Sequence, residues 1–382
     1  MHVLLVEPNY YSRYPPIGLL KLASHHRTKG DTVKLVQGCT RVRRRPDLIY
    51  VTSLFTWSWE PVWETVRYYK AKFPDVELQL GGIYASILPE HAKLSGADHV
   101  KAGVVPEVEN LMPAYDLVPG WDGSIISTSR GCNRQCPYCA VWRTEGKLNS
   151  CKESISHLID SKHTRIILWD NNILQSPHWR HIFDELIESK KWVDFNQGLD
   201  ARLIDDEAAE KISKMKFLCV RFSYDHDGMK ESIKNAIELL NAHGVRRRKI
   251  LIYVLYNFSD GPDNFFERIK NIVDWGAVAY PMRYEPFNTS GRNKTVGPKW
   301  DEERLRQVEK FRRVCGFGGT FPPYRWLVKR FSRSLGFDEA FKLPRRFYDN
   351  GKKKRAHNSY FAVWKRKENW RDVTENFLSK RW

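Results

Sequence analysis

The stretch "ISTSRGCNRQCPYCAVW", residues 126–142, decides how the chain is interpreted. It follows a short strand-like run, "GSIIS", at 123–127. Within it, Cys132, Cys136 and Cys139 are separated by three and then two residues, with no fourth cysteine beside them. Thiolates at this spacing can close around one compact metal centre. The stretch therefore predicts a metal-binding loop at the end of a strand.

The number of cysteines bears on the kind of metal centre. A four-iron, four-sulfur cluster needs four ligands, so three cysteines leave one iron open to a substrate or cosubstrate. The alternative is a structural zinc site, which normally has four tetrahedral protein ligands. His163 and His178 lie downstream, but neither has the spacing of a zinc finger. The spacing favours a 4Fe-4S cluster over zinc.

The composition indicates a soluble, cytoplasmic protein. The 382 residues, 42% of them hydrophobic, can fill one large core or two modest ones. No apolar run approaches the length that spans a bilayer, and the chain begins at once with the strand pattern "MHVLLVEPN". Seven cysteines are an odd number, and those outside the motif are scattered, so a disulfide framework is not expected. The scattered cysteines are Cys39, Cys151, Cys219 and Cys315.

The pattern of strand-like and helical runs predicts an α/β fold. Up to about residue 118, strand-like runs alternate with helical ones, as in a small doubly wound parallel sheet. From 119 to 290, six further strand-like runs suggest a partial (β/α)6 barrel of the TIM type, in which strand C-terminal ends carry the chemistry. The predicted domains are 1–118, 119–290 and a basic, aromatic-rich C-terminal extension, 291–382. The eleven runs are "HVLLVEP", "TVKLVQ", "LIYVTSLF", "ELQLGG", "DHVKAG", "GSIIST", "RIILWD", "WVDFNQ", "LCVRFS", "KILIYVLY" and "AVAYPMRY".

Positive charge is concentrated at the C-terminal end. Residues 291–382 carry 25 Lys and Arg against 10 Asp and Glu, a net +15 of the chain's +18, and 17 of its 50 aromatic residues. Such a segment can bind RNA or DNA, because cations neutralise phosphates and aromatic rings stack on unpaired bases. The alternative is a helical cap whose aromatic rings pack on the preceding domain while the charges stay solvated.

The cysteine motif resembles that of the radical S-adenosylmethionine (SAM) enzymes, which place an aromatic residue before the last cysteine, here Tyr138. The resemblance covers roughly residues 1–290, since the N-terminal region is similar to the cobalamin-binding-type domain that precedes many of these barrels. It implies a cluster whose unique iron chelates the SAM amino and carboxylate groups. It also implies reductive cleavage of SAM to methionine and a 5′-deoxyadenosyl radical, with an electron donor such as flavodoxin or ferredoxin.

The resemblance also implies SAM-contacting residues at the strand ends. In "LWDNN", a carboxylate and an amide are suited to the SAM amino group. In "FNQGLDARLI", polar side chains would face the ribose and the methionine carboxylate, with which an arginine pairs well. The stretch "VRFSYDHD" offers further polar candidates at the end of the fourth strand. The alternative for each is ordinary strand-end capping or a salt bridge. Besides Tyr138, the candidates are Asp170, Asn171, Asn196, Gln197, Asp200, Arg202, Arg221 and Ser223.

Cobalamin is a possible second cofactor. The order of segments up to the paired Gly81 and Gly82 is similar to that of cobalamin-binding domains, and such glycines let a ligand approach the backbone. No Asp-x-His-x-x-Gly motif occurs, so the alternative is a vestigial domain that packs on the barrel or recognises substrate. Only Cys39 lies in this region, which excludes the second cysteine triplet of methylthiotransferases.

Together these features predict an enzyme that performs radical chemistry, including methyl transfer if cobalamin binds. A polynucleotide is the leading candidate for the substrate. The alternative is a non-catalytic nucleic-acid-binding protein held together by a metal ion.

Overall fold

The computed structural model describes residues 1–289 and 291–343. The described residues form two compact units, the first comprising 1–171 and 285–295 without residue 290, the second 172–284 and 296–343. The boundary predicted near residue 118 falls inside the first unit, and the predicted three-domain division stays a prediction. Across the described ranges, no helix combines the length and apolar character needed to cross a bilayer.

The first unit contains a five-stranded parallel sheet. Its strands run in the order β2-β1-β3-β4-β5, and every neighbouring pair is parallel. Each strand falls within one of the first five predicted runs, so these predictions are confirmed. The strands are β1 (His2–Glu7), β2 (Thr32–Gln37), β3 (Leu48–Val51), β4 (Glu77–Leu80) and β5 (His99–Val100).

Helices cover both faces of this sheet. Val3 and Leu5 of β1 belong to a core cluster with α1, whereas Leu4 and Val6 belong to a cluster with α2 on the opposite face. Burial on both faces explains why β1 reads as a continuous apolar run rather than an alternating one. The helices of the first unit are α1 (Ile17–Thr28), α2 (Trp59–Lys72), α3 (Ile83–Ile87), α4 (Pro89–Lys93) and α5 (Val141–Thr144).

A second pair of parallel strands lies in the first unit. Strand β6 (Ser124–Ile126) pairs in register with β7 (Arg165–Leu168). A buried cluster joins these strands to α1 through Ile17, Ile125 and Ile167. The cysteine motif follows β6 directly, so the motif begins at the carboxyl end of a buried parallel strand.

The second unit continues the alternation of strands and helices. Strands β9, β10 and β11 form a parallel sheet with β10 at its centre. The mixed α/β class with parallel sheets is thus confirmed. The strands are β8 (Trp192–Phe195), β9 (Val220–Ser223), β10 (Ile250–Tyr256) and β11 (Val278–Arg283). The helices are α6 (Trp179–Glu188), α7 (Asp206–Lys214), α8 (Lys230–Ala242) and α9 (Pro262–Asp274).

Three helices follow β11: α10 (Glu302–Val314), α11 (Arg325–Arg333) and α12 (Phe337–Ala340). Their aromatic side chains form a buried core with α9, in which the ring of Phe331 lies 5.7 Å from that of Phe266. Most aromatic residues between 291 and 343 are therefore part of a hydrophobic core. This is the arrangement expected of a helical cap, the alternative to nucleic-acid binding that the sequence left open. The stretch "GKKKRAHNSYFAVWKRKENW", 351–370, lies outside the described residues.

Candidate functional site

The three cysteines lie on one loop between β6 and α5. Cys132 is buried, and Cys136 and Cys139 are half-buried. The Cys139 amide donates to the Cys136 carbonyl over 3.0 Å. The backbone N–H of Arg134 donates to Cys132 Sγ over 3.4 Å. Hydrogen bonds of this kind to sulfur are one of the ways a protein tunes an iron-sulfur centre.

The loop contains three thiols that could be cluster ligands, but the thiols do not converge on one point. Within residues 1–289 and 291–343, no three His, Cys, Asp or Glu side chains converge closely enough to hold a metal ion. Three thiols on one short loop, one of them accepting a backbone hydrogen bond, are nevertheless the donor chemistry that an iron-sulfur cluster uses. The donor set fits the group, although the side chains are not arranged around it.

A close backbone contact fixes the start of the loop. Gly131 has a φ of +71°, and a Cβ at this position would lie 2.1 Å from the Lys147 carbonyl oxygen. Next to it, Arg130 and Asn149 exchange two backbone hydrogen bonds of 2.9 Å in an antiparallel bridge. Only glycine combines this left-handed conformation with so close an approach. The chain after Cys139 therefore folds back on the residues before Cys132.

Asp170, at the end of β7, binds the backbone that leads into the loop. Its carboxylate accepts from the N–H and hydroxyl of Thr128 at 3.0 and 2.6 Å, and from those of Ser129 at 2.7 and 2.9 Å. A carboxylate offers about four acceptor sites. Asp170 is only 3% exposed, and burial raises its pKa against the effect of these hydrogen bonds. Asp170 thus positions the strand end, a role that the sequence did not predict, and its contact with SAM stays a prediction.

A buried ion-pair network lies behind the loop. Arg130 donates to both oxygens of Glu109, over 2.8 and 3.0 Å. Lys21 of α1 donates to the Glu109 carbonyl over 3.0 Å, and its Nζ lies 3.5 Å from Glu109 Oε1. Burial lowers the pKa of Lys21 to about 8. The network ties α1 and the connector after β5 to the residue that precedes Gly131.

Glu145 links the predicted Asn171 to the same loop. One oxygen of Glu145 accepts from the Gly131 amide over 2.9 Å and from Asn171 Nδ2 over 3.0 Å. The indole of Trp142 donates to the Cys136 carbonyl over 2.9 Å, and Tyr138 is half-buried between the last two cysteines. The first unit therefore brings Asp170, Asn171 and Tyr138 to the cysteine loop.

Two of the predicted residues after β8, Asp200 and Arg202, bind each other in the second unit. Arg202 donates to Asp200 over 2.6 and 3.1 Å, and the Asp200 side chain is 4% exposed. Asn172, which the sequence analysis did not single out, donates to the same carboxylate over 3.1 Å. Asn196 is half-buried and Gln197 is exposed. The arginine fork predicted for the methionine carboxylate is paired here with a neighbouring aspartate.

Arg221 of β9 also has a carboxylate partner. It forms an ion pair with Asp194 of β8, and it donates to the Phe195 carbonyl over 3.2 Å. Ser223, at the end of β9, is half-buried. The alternative that the sequence left open for such residues, a salt bridge between strands, describes Arg221.

Gly82, one of the paired glycines, is explained by the protein's own backbone. It has a φ of +100°, and a Cβ here would lie 2.1 Å from the Ser53 carbonyl oxygen. The turn after β4 therefore requires glycine whether or not a ligand approaches it, and cobalamin binding stays a prediction.

Comparisons with protein-family models and with curated proteins gave no match.

Proposed function

We propose that the protein is a radical SAM enzyme in which Cys132, Cys136 and Cys139 hold a 4Fe-4S cluster. One observation carries the proposal: the three thiols lie on a single hydrogen-bonded loop that begins at the carboxyl end of the buried parallel strand β6. In α/β proteins this end of a parallel sheet is where ligands and cofactors bind. When bound, the cluster would supply the electron that cleaves SAM.

Several candidate residues have stated roles in this proposal. Asp170 and the Glu109–Arg130 pair hold the backbone before the cysteines, which fixes where the cysteine loop starts. The Asn171 amide is a candidate contact for the SAM amino group, and Asp200 with Arg202 are candidates for the ribose and the carboxylate. Arg202 already donates to the Asp200 carboxylate, so the carboxylate of SAM would have to compete with Asp200 for the arginine.

The proposed architecture is a cobalamin-binding-type domain followed by a partial (β/α)6 barrel built from β6 to β11. The strand order 2-1-3-4-5 supports the first part, because doubly wound sheets of this order bind ligands at the carboxyl ends of β1 and β3. Helices on both faces of that sheet agree with it. Cobalamin is the proposed ligand there.

We further propose a polynucleotide as the substrate and the cytoplasm as the compartment. The net charge of +15 in residues 291–382 supports the first, and the dependence of an iron-sulfur cluster on reduced thiolates supports the second. An electron donor of the flavodoxin or ferredoxin type would complete the system.

Anaerobic reconstitution with iron and sulfide tests the proposal. The chain should bind about four iron and four sulfide, absorb visible light and cleave SAM under reducing conditions. Changing Cys132, Cys136 and Cys139 together to Ala should abolish all three properties. The matched control changes Cys39 and Cys151 to Ala, which removes two thiols outside the motif and should leave the cluster in place. A chain that takes up only zinc would favour the metal-stabilised nucleic-acid-binding protein.

A further inference from the structure

Helix α11 carries a stripe of positive charge. Its sequence, "RWLVKRFSR", contains four basic residues and no acidic residue. Arg325, Lys329 and Arg333 are spaced by four and are all exposed, so they share one face at about 6 Å intervals along the axis. Leu327 and Phe331 are buried and attach the other face to the core. The exposed face is therefore cationic along the whole helix.

This arrangement is electrostatically unfavourable for the isolated helix. Like charges four residues apart cost about 0.2–0.5 kcal/mol per pair. Arg325 also lies in the first turn, where the helix dipole disfavours a cation. An anionic partner with repeated charges would offset the repulsion between these cations.

An open groove of about 480 Å³ lies along this helix. Trp326, Lys329, Arg333 and Lys342 line it, together with Arg330 and Glu339. Arg330 joins α11 to α12 at one side of the groove, because its guanidinium donates to the carbonyls of Ala340 and Glu339 over 2.8 and 2.9 Å. The Glu339 carboxylate accepts from the Leu335 amide over 2.9 Å. The groove thus combines three outward cations with one carboxylate that is hydrogen-bonded to backbone.

An aromatic ring lies among these cations. Trp326 is half-buried in the groove, and its ring stacks on Tyr324 at a centroid distance of 6.5 Å and an interplanar angle of 12°. Most other aromatic rings of residues 291–343 are buried in the core, whereas the Trp326 ring is partly exposed to solvent. Cationic grooves with an accessible ring are typical of sites that bind single-stranded nucleic acid.

We propose that the α11 groove binds a single-stranded polynucleotide, with phosphates on Lys329, Arg333 and Lys342 and a base on Trp326. This inference rests on the proposed function only for the claim that the bound strand is the substrate. Binding by the groove needs neither the cluster nor SAM.

The ionic part is tested by fluorescence anisotropy of a labelled oligouridylate with the full chain. Affinity should fall with added salt, with a slope of about 0.7 per phosphate contact on a logarithmic plot. The double change Lys329→Ser and Arg333→Ser should lower that slope by about 1.4. The matched control is Lys230→Ser with Lys234→Ser, two exposed lysines also four apart, on α8. Equal slopes for the two double variants would overturn the proposal.

The stacking part is tested with Trp326→Leu. Loss of a stacked base should weaken binding by about tenfold or more, whereas the salt slope should not change. Unchanged affinity, or equal binding of polyglutamate or of duplex RNA by the intact chain, would overturn a single-stranded polynucleotide as the partner.

Iron content and SAM cleavage, measured on the same preparations, separate the two proposals. Normal cluster assembly in the Lys329→Ser/Arg333→Ser variant with reduced RNA binding supports both. A chain could also assemble no cluster and yet bind RNA in a way that depends on salt and on Trp326. That result would support the α11 groove and overturn the radical SAM function.

Discussion

At the scale of single residues, the carboxylates around the cysteine loop accept hydrogen bonds from backbone amides. Asp170 accepts from two consecutive backbone amides, and Glu145 accepts from a third. The resemblance to radical SAM enzymes indicated Asp170 as a site residue, because it implies an amino-group contact after the second barrel strand. It could not assign the partner, because the chemistry that suits an ammonium group also suits N–H donors. Glu109 and Lys21 gave no local signal, since their pairing joins residues 88 positions apart.

Asp170→Asn is predicted to lower the free energy of unfolding by about 2–3 kcal/mol. The amide oxygen can replace Oδ1, but its NH₂ group then faces the donating Thr128 amide at the position of Oδ2. Chemical denaturation measures the change. The control is Asp116→Asn, which breaks an exposed ion pair with Arg27 and should cost about 1 kcal/mol or less. Equal effects of the two substitutions would contradict the positioning role.

Glu7, at the carboxyl end of β1, is predicted to make stability depend on pH. Burial raises its pKa from 4.5 to about 7. The folded chain therefore binds more protons than the unfolded chain between these values, and stability falls as pH rises from 4.5 to 7. A shift of this size corresponds to about 3 kcal/mol, reduced to about 2 kcal/mol because Glu7 is only half-buried.

Glu7→Gln removes this titration and gives the test. Unfolding free energies of the variant and the intact chain should agree near pH 4.5, and the variant should be the more stable by about 2 kcal/mol above pH 7. Glu107→Gln, an exposed site in the same unit, is the control and should follow the intact chain at every pH. Parallel pH profiles for Glu7→Gln and the intact chain would refute the assignment.

At the scale of elements, the strands were predictable and the cysteine loop was not. Every strand from β1 to β11 falls within a predicted run, because short runs rich in β-branched, aromatic and other apolar residues mark strands locally. The loop is held instead by contacts with distant residues, such as the Arg130–Asn149 bridge, which leave no local pattern. The aromatic residues of α10 to α12 were ambiguous because rings that stack on bases and rings that fill a core share one composition.

Gly131→Ala is predicted to disturb the loop more than Gly146→Ala. Both glycines have positive φ, so each substitution carries a backbone cost of about 1–2 kcal/mol. Only at Gly131 would the new Cβ meet a backbone oxygen, at 2.1 Å, whereas nothing lies within 4 Å at Gly146. Thermal unfolding should show the larger loss for Gly131→Ala, and reconstituted iron should fall in that variant alone. Similar losses for both would mean that the loop can move away from Lys147.

At the scale of the whole chain, the charge is divided between described and undescribed parts of the C-terminal extension. Residues 291–343 have 13 basic and 6 acidic residues, and residues 344–382 have 12 and 4. The sequence located this excess correctly, but it could not separate charges that solvate a helical cap from charges that bind a partner. The cationic face of α11 could be identified only from the structure, which shows that Leu327 and Phe331 form the buried face of the helix.

The stretch from Lys352 to Arg355 lies outside the described residues, and its contribution is a prediction from charge alone. Changing Lys352, Lys353, Lys354 and Arg355 to Ser removes four cations, so the salt slope for oligouridylate should fall by up to about 2.8 if each one meets a phosphate. Because phosphate contacts at separate places add, combining this variant with Lys329→Ser/Arg333→Ser should lower the slope by the sum of the two effects. Anisotropy titrations at several salt concentrations provide the comparison. If the α11 variant lowers the slope and the quadruple variant does not, the polynucleotide is bound by the groove and the terminal charges have another role.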